Sequence, residues 1–430
     1  MKKFKGRYAE HKKKTERDVI SYEDMPLDDY EQEKTDISPE AVKKIIIGVC
    51  IALVVSLIVF AFANREKLTA DNISNWWTYD VLGNAGNGYP VDIVGAEVAQ
   101  GNFSVSQGRV AYASDTSFIT LNSTGREIAN IQLSYSQPFM KSAGNRYLTY
   151  ALGGTGYQIQ NFDSKLFSGE VDEEILTGDI ASNGVYSIVT EGNGFLSTLY
   201  VFNKNNNRIY KYSFSEYYIT SIALNSDGTG GVACGVTTHN GSIETGVYVL
   251  DFSKEDPVSL YEIHDDTVID CKYLKSDRIA LVGQTAAYII KIGNENYITN
   301  SYEEKTIANY CFNPDTKSLA VALSKSGDGR SCVLRTINDN GETESEVNTE
   351  RMVESLSIYK NVLAVLDGNT AYVYNTDGNL LHTCDTGTGS KKIVLTSTNE
   401  AYILSVNQVR FLDLANPVST ADNAINKTEE

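Results

Sequence analysis

Arg109-Val-Ala-Tyr-Ala-Ser114 is the stretch that decides the fold, because it returns. Seven further runs share its length and character: Arg146–Ala151, Val185–Thr190, Gly231–Val236, Arg278–Gly283, Ser318–Leu323, Asn361–Leu366 and Glu400–Ser405. Each is a short apolar run rich in β-branched or aromatic residues, which reads as the second strand of a recurring unit. From Arg109 to Glu400 the copies advance by about 42 residues per step, the length of a four-stranded propeller blade. A β-sandwich does not hold one spacing eight times.

Turn residues fall where such blades need them. Gln107-Gly108, Asn183-Gly184, Asn225–Gly228, Ser276-Asp277 and Asn313–Asp315 precede the recurring strand. Asn122–Gly125, Asn205–Asn207, Asn338–Gly341 and Asn375–Asn379 come later in their units, between third and fourth strands. Asn, Asp and Gly tolerate positive φ and close tight hairpins. The eighth unit has strands at 391–396, 400–405 and 408–414, and then Asn416-Pro417 opens a polar tail. Its fourth strand is missing, while Pro90–Val94 is a lone strand ahead of the first unit. The sequence therefore predicts an all-β, eight-bladed propeller over 90–417, closed by its own N-terminal strand, with a disordered tail over 418–430.

Composition agrees: 33 Gly, 27 Tyr and only 7 Pro suit many short strands joined by tight turns. The formal charge is −18, yet residues 1–44 hold 11 basic and 11 acidic side chains, so the whole excess lies beyond them. A surface that acidic disfavours nucleic acid, and none is expected as a partner. Of the six cysteines, Cys50 lies apart from Cys234, Cys271, Cys311, Cys332 and Cys384. Five in strand-like runs, without a C-x-x-C pair, read as buried free thiols.

Upstream, Ile45–Ala63 is nineteen residues without a charge. At about 1.5 Å per residue such a helix covers about 28 Å, close to a bilayer's hydrocarbon core. Lys43 and Lys44 abut it, with nine more basic residues before them, against Arg65 and Lys67 after it. That bias puts the N-terminus in the cytoplasm and the propeller outside, in a single-pass arrangement at the cell membrane. Ala61-Phe62-Ala63 also fits a signal-peptidase site, but the span and the preceding tail are long for a cleaved signal. Residues 1–44 read as a disordered tail. Residues 64–89 read as a linker with a short helix at 68–82, holding Ile73, Trp76 and Trp77 at helical spacing.

Leu224-Asn-Ser-Asp-Gly228 and Phe312-Asn-Pro-Asp315 resemble the turn between first and second strands of WD40-like and TolB-like blades. Together with the span, Asn75-Trp-Trp77 and Gly88-Tyr-Pro-Val91, the layout resembles an uncharacterised family of membrane-anchored propellers of Gram-positive bacteria. The resemblance implies a fold and an anchor; its motifs carry no activity. The Gly-His and Trp-Asp pairs of WD40 blades are absent.

No chemistry stands out along the chain. His239, His264 and His382 fall in three different repeats by this reading, with no zinc-type spacing. There is no G-x-S-x-G and no P-loop, and Gly153–Gly156 and Gly228–Gly231 read as turns. Asn375–Asn379 lacks the full calcium loop. Quinoproteins are eight-bladed too, but their vicinal cysteines and repeated tryptophans are missing. No catalytic, cofactor-binding or metal residue is assigned and no cofactor is expected. The functional expectation is a non-enzymatic scaffold that binds a protein partner. The alternative is an envelope-directed, glycan-acting hydrolase with carboxylates in the funnel. A pair of carboxylates in an open cleft would favour the hydrolase; a mixed lining would favour the scaffold.

Overall fold

The computed structural model describes residues 39–63, 86–106, 108–313, 316–325, 327 and 329–416. The expected helix at 68–82 with its tryptophans, most of the tail over 1–44 and the tail over 418–430 lie outside them.

Two units divide the chain, 1–69 and 70–430. In the first, α1 runs over Pro39–Ala63, 25 residues. It begins at Pro39, not Ile45, so the last residues assigned to the tail are helical. Proline suits that first position, where its missing N–H is no loss. The described side chains of α1, residues 43–56 and 59, are all exposed, among them Ile45, Ile51, Leu53 and Val59. Among the described residues no helix is long and apolar enough to cross a membrane.

The second unit is a ring of eight four-stranded antiparallel sheets. Among the described residues 32 strands, β1 to β32, fill it, all but β1 in chain order. Blade 1 is β2–β5 (98–132), blade 2 β6–β9 (138–170), blade 3 β10–β13 (175–214) and blade 4 β14–β17 (218–264). Blade 5 is β18–β21 (268–301), blade 6 β22–β25 (306–349) and blade 7 β26–β29 (355–385). Blade 8 takes β30–β32 (390–413) and, as its outermost strand, β1 (Val91–Asp92). The eight recurring runs are the second strands: β3 (Arg109–Ser114), β7 (Arg146–Ala151), β11 (Tyr186–Glu191), β15 (Gly230–His239), β19 (Arg278–Gly283), β23 (Ser318–Ser324), β27 (Val362–Asp367) and β31 (Glu400–Ser405).

Neighbouring blades cover both faces of those strands, which is why they read as continuous apolar runs. All six residues of β3 and all seven of β23 are buried. Fourth strands have one covered face and alternate, as β17 (Ser259–His264) does with Tyr261 and Ile263 inward and Leu260, Glu262 and His264 outward. Eight apolar clusters fill the eight interfaces between successive blades. One joins Phe103, Val110 and Tyr112 of blade 1 to Tyr402, Leu404 and Val409 of blade 8 and so closes the circle.

The closing strand pairs as expected. Val91 lies opposite Val409 and Asp92 opposite Gln408, and Ile93 N–H donates to the Asn407 carbonyl at 2.8 Å. Just before it, Tyr89 sets its ring edge-on to Tyr402 at 5.3 Å and donates its hydroxyl to the Asn122 carbonyl at 3.0 Å. Gly88-Tyr-Pro-Val91 is thus the clasp between the last blade and the first.

The asparagine-rich segments are turns. Asn122, Asn203, Asn338 and Asn375 each turn a side-chain oxygen onto a backbone N–H four residues on, at 2.8–3.0 Å. Gly125, Asn206, Gly341 and Gly378 hold the positive φ those turns require. The carboxamide oxygens a calcium ion would need are spent on the backbone. All six cysteines are free; Cys234, Cys271, Cys332 and Cys384 are buried.

Candidate functional site

Around the axis, the innermost strands of successive blades touch in order from β2 round to β30 and back to β2. Lys141 on β6, Asp179 on β10, Asp270 and Lys272 on β18 and Tyr310 on β22 carry the chemistry there. Lys272 Nζ stands 3.7 Å from Asp179 Oδ2, which also accepts the Leu224 N–H at 2.8 Å. The Tyr310 hydroxyl donates to Asp270 Oδ2 at 3.2 Å. Burial works against the Lys141 ammonium, but Asp270 and Asp179 outweigh it and hold its pKa above the ordinary lysine value. Lys392 on β30 has no such carboxylate. Its Nζ donates to the Gln100 and Phe103 carbonyls at 2.7 and 3.0 Å, and burial lowers its pKa to about 8. The lining is mixed, and both aspartates are tied to donors.

Antiparallel order places the turns between second and third strands, and the links from blade to blade, at one end of the ring. On that face the blade 2 turn exposes Leu152 and the blade 3 turn exposes Phe195 (49 %) and Leu196. Blade 4 adds Tyr218 and, on the β15–β16 hairpin, Ile243. Those two strands run ten residues each, against six in their blade 3 counterparts, so the hairpin is long. Carboxylates border the patch: burial and then Glu191 and Glu174 push the Tyr218 hydroxyl's pKa up. Between blades 3 and 4, a 340 Å³ groove is lined by Tyr212, Ser215, Glu216, Tyr248, Pro257 and Leu260.

Blade 4 also gathers polar groups that the sequence reading separated. His239 closes β15 and His264 closes β17, so these two histidines share a blade, contrary to the expected three repeats; His382 lies on β29. Glu244 on β16 sits opposite His264, and His264 Nδ1 is 2.7 Å from its Oε2. The Tyr217 hydroxyl donates to Glu244 Oε1 at 2.5 Å. That bond, followed by His264, holds the Glu244 carboxyl below its ordinary value despite desolvation. Glu262 lies two residues before His264 on the same strand face. A period-2 signal, Glu262-Ile-His264, was present in the sequence but needed its strand partner to become a cluster.

The fold and these surfaces define a closed eight-bladed propeller with exposed apolar side chains of blades 2 to 4 on one face. The chain belongs to the family of unknown function DUF5711, whose model matches residues 95–414. No curated protein sequence matches it significantly. Among solved structures it is similar to Sqt1 of Saccharomyces cerevisiae, at 11% identity over 76% of this chain and 100% of that one, with a TM-score of 0.53. It is similar also to apo AztD from Citrobacter koseri, at 10% identity over 70% and 88% of the two chains, TM-score 0.50. BamB from Moraxella catarrhalis is covered completely, with 75% of this chain, at 13% identity and TM-score 0.46. At such identities the likeness is one of fold.

Proposed function

We propose that the protein is a membrane-anchored scaffold whose propeller binds another protein outside the cell membrane, without turnover of its own. One observation carries the binding reading: exposed Leu152, Phe195, Leu196, Tyr218 and Ile243 share one face of a rigid ring, bordered by carboxylates. Apolar side chains gathered on one face and rimmed by charge fit a protein contact. The acidic border and the charge of −18 favour a partner with a basic, partly apolar surface.

The absence of turnover is inferred from the axis, where lysines and a tyrosine occupy the two aspartates that a glycan hydrolase would need free. Moreover, the carboxylates whose pKa shifts (Glu244, Asp251, Glu303, Asp339 and Asp413) all shift downward, away from a general acid at neutral pH. Anchoring is inferred from the uncharged Ile45–Ala63 run within α1, whose described apolar side chains have no protein cover. Lys43 and Lys44 favour an orientation with its N-terminal end inside. The test is crosslinked capture with the full chain, with Phe195→Asp/Ile243→Asp, and with residues 1–69 alone. Partners held by the full chain should be lost in the other two. Identical partners on residues 1–69 alone would refute the propeller as the binding element.

A further inference from the structure

We propose that blade 4 holds a divalent transition-metal site, of the zinc class, formed by Glu244, Glu262 and His264. One donor atom from each lies within 4.8 Å of the other two. They converge because of strand register. Glu244 faces His264 across β16 and β17, Gly246 faces Glu262, and alternation puts all of them on one side of the sheet. His239 is on that side as well: it stands two residues after Thr237, which pairs with Glu244. The three donors of the site are Glu244, Glu262 and His264.

The surroundings are built to orient Glu244. The Tyr217 ring packs against bare Gly246, with its Cβ over Gly235 of the same sheet face. A Cβ on Gly246 would come within 2.7 Å of the Tyr217 ring, and one on Gly235 within 3.0 Å of its Cβ. Only that bare surface lets the ring sit low enough for its hydroxyl to reach Glu244 Oε1. A ligating carboxylate is commonly held in place by a hydrogen bond from outside the metal shell, and the Tyr217 hydroxyl supplies that bond to Glu244. A salt bridge alone would need neither Glu262 nor this seat.

Ion class follows from the donors. One imidazole with two carboxylates suits zinc and its neighbours, whereas calcium takes six to eight oxygens. Zinc bonds of about 2.0–2.2 Å set ligand atoms about 3.3 Å apart in a tetrahedron. The 2.7 Å contact between His264 and Glu244 must therefore open slightly while Glu262 moves in. His264 and Glu262 are exposed, the His264 side chain by 66%, so their adjustment toward the buried Glu244 meets little packing resistance.

Calorimetric titration of zinc chloride into the full chain in detergent tests this. One equivalent should bind with a micromolar constant. His264→Ala and Glu262→Gln, both at exposed positions, should abolish saturable binding while leaving the thermal melt in place. Tyr217→Phe should weaken binding roughly tenfold or more, as outer-shell changes do. His382→Ala should change nothing. No saturable heat with the parent chain, or equal binding by the His264→Ala/Glu262→Gln double variant, would overturn the site. Calcium displacing zinc at equal concentration would overturn the assigned class.

Discussion

Gln408 donates its side-chain amide to the Asp92 carboxylate at 3.0 Å across 316 residues of chain. The bond belongs to a two-residue strand, yet that strand covers what would otherwise be the bare edge of β32. Deleting residues 88–93 removes the Tyr89 ring from Tyr402 and Phe411 and exposes that edge to pairing with other chains. The deleted chain should melt well below the parent and aggregate on heating, read by thermal scanning with light scattering. Tyr89→Ala alone should cost about 1–2 kcal/mol, less than a core ring because Tyr89 is only half-buried. An unchanged melt would mean the ring closes without the clasp.

Gly246→Ala places a methyl group against the Tyr217 ring, which is wedged beside Phe214 and Tyr248 and has little room to retreat. Overpacking of this kind costs about 1–3 kcal/mol. Gly241, at the tip of the same hairpin, has nothing within 4 Å and serves as a partial control; it holds positive φ, so Gly241→Asn is the milder change. Denaturant unfolding should place the alanine variant clearly below the asparagine one.

Lys392 releases its proton near pH 8 when folded and at 10.5, the ordinary lysine value, when unfolded. Between those values the unfolded chain binds more protons, so this residue makes stability rise with pH across that window. Lys392→Met removes the titration. The stability difference between parent and variant, followed from pH 7 to 10.5, should shift steadily in the parent's favour. A difference independent of pH would show that the amine is not held in its neutral form.

Phe195 is half exposed and makes no ring contact with the aromatic clusters of the core. Phe195→Asp should therefore leave the melt within about 0.5 kcal/mol of the parent, as surface changes do. If the turn face binds a partly apolar partner, the same variant should weaken capture at least tenfold. Wild-type capture by Phe195→Asp would remove the patch from the interface.

Protease added to intact protoplasts should digest the propeller or its exposed loops and spare a tag at the N-terminus, given the basic residues ahead of Ile45. A protected C-terminal tag with a digested N-terminal one would reverse the proposed orientation.

Blade number, blade phase and the closing strand were legible in the chain, because second strands such as Ser318–Ser324 are covered on both sides and must be apolar throughout. The asparagine turns were legible for a local reason: positive φ and side-chain-to-backbone bonds need only a few consecutive residues. Helix α1 was legible because nineteen uncharged residues leave a helix few alternatives, though its start at Pro39 was not. The blade 4 cluster could not be read from sequence. Glu244 and His264 meet through a cross-strand register, and the Tyr217 hydroxyl reaches Glu244 with its ring seated on bare Gly246. The exposed patch on blades 2 to 4 was equally hidden, since Leu152, Phe195 and Ile243 lie far apart along the chain and share a face only once the ring has closed. Local covering and turn chemistry fix which segments become strands; pairing between distant strands decides which side chains stand together.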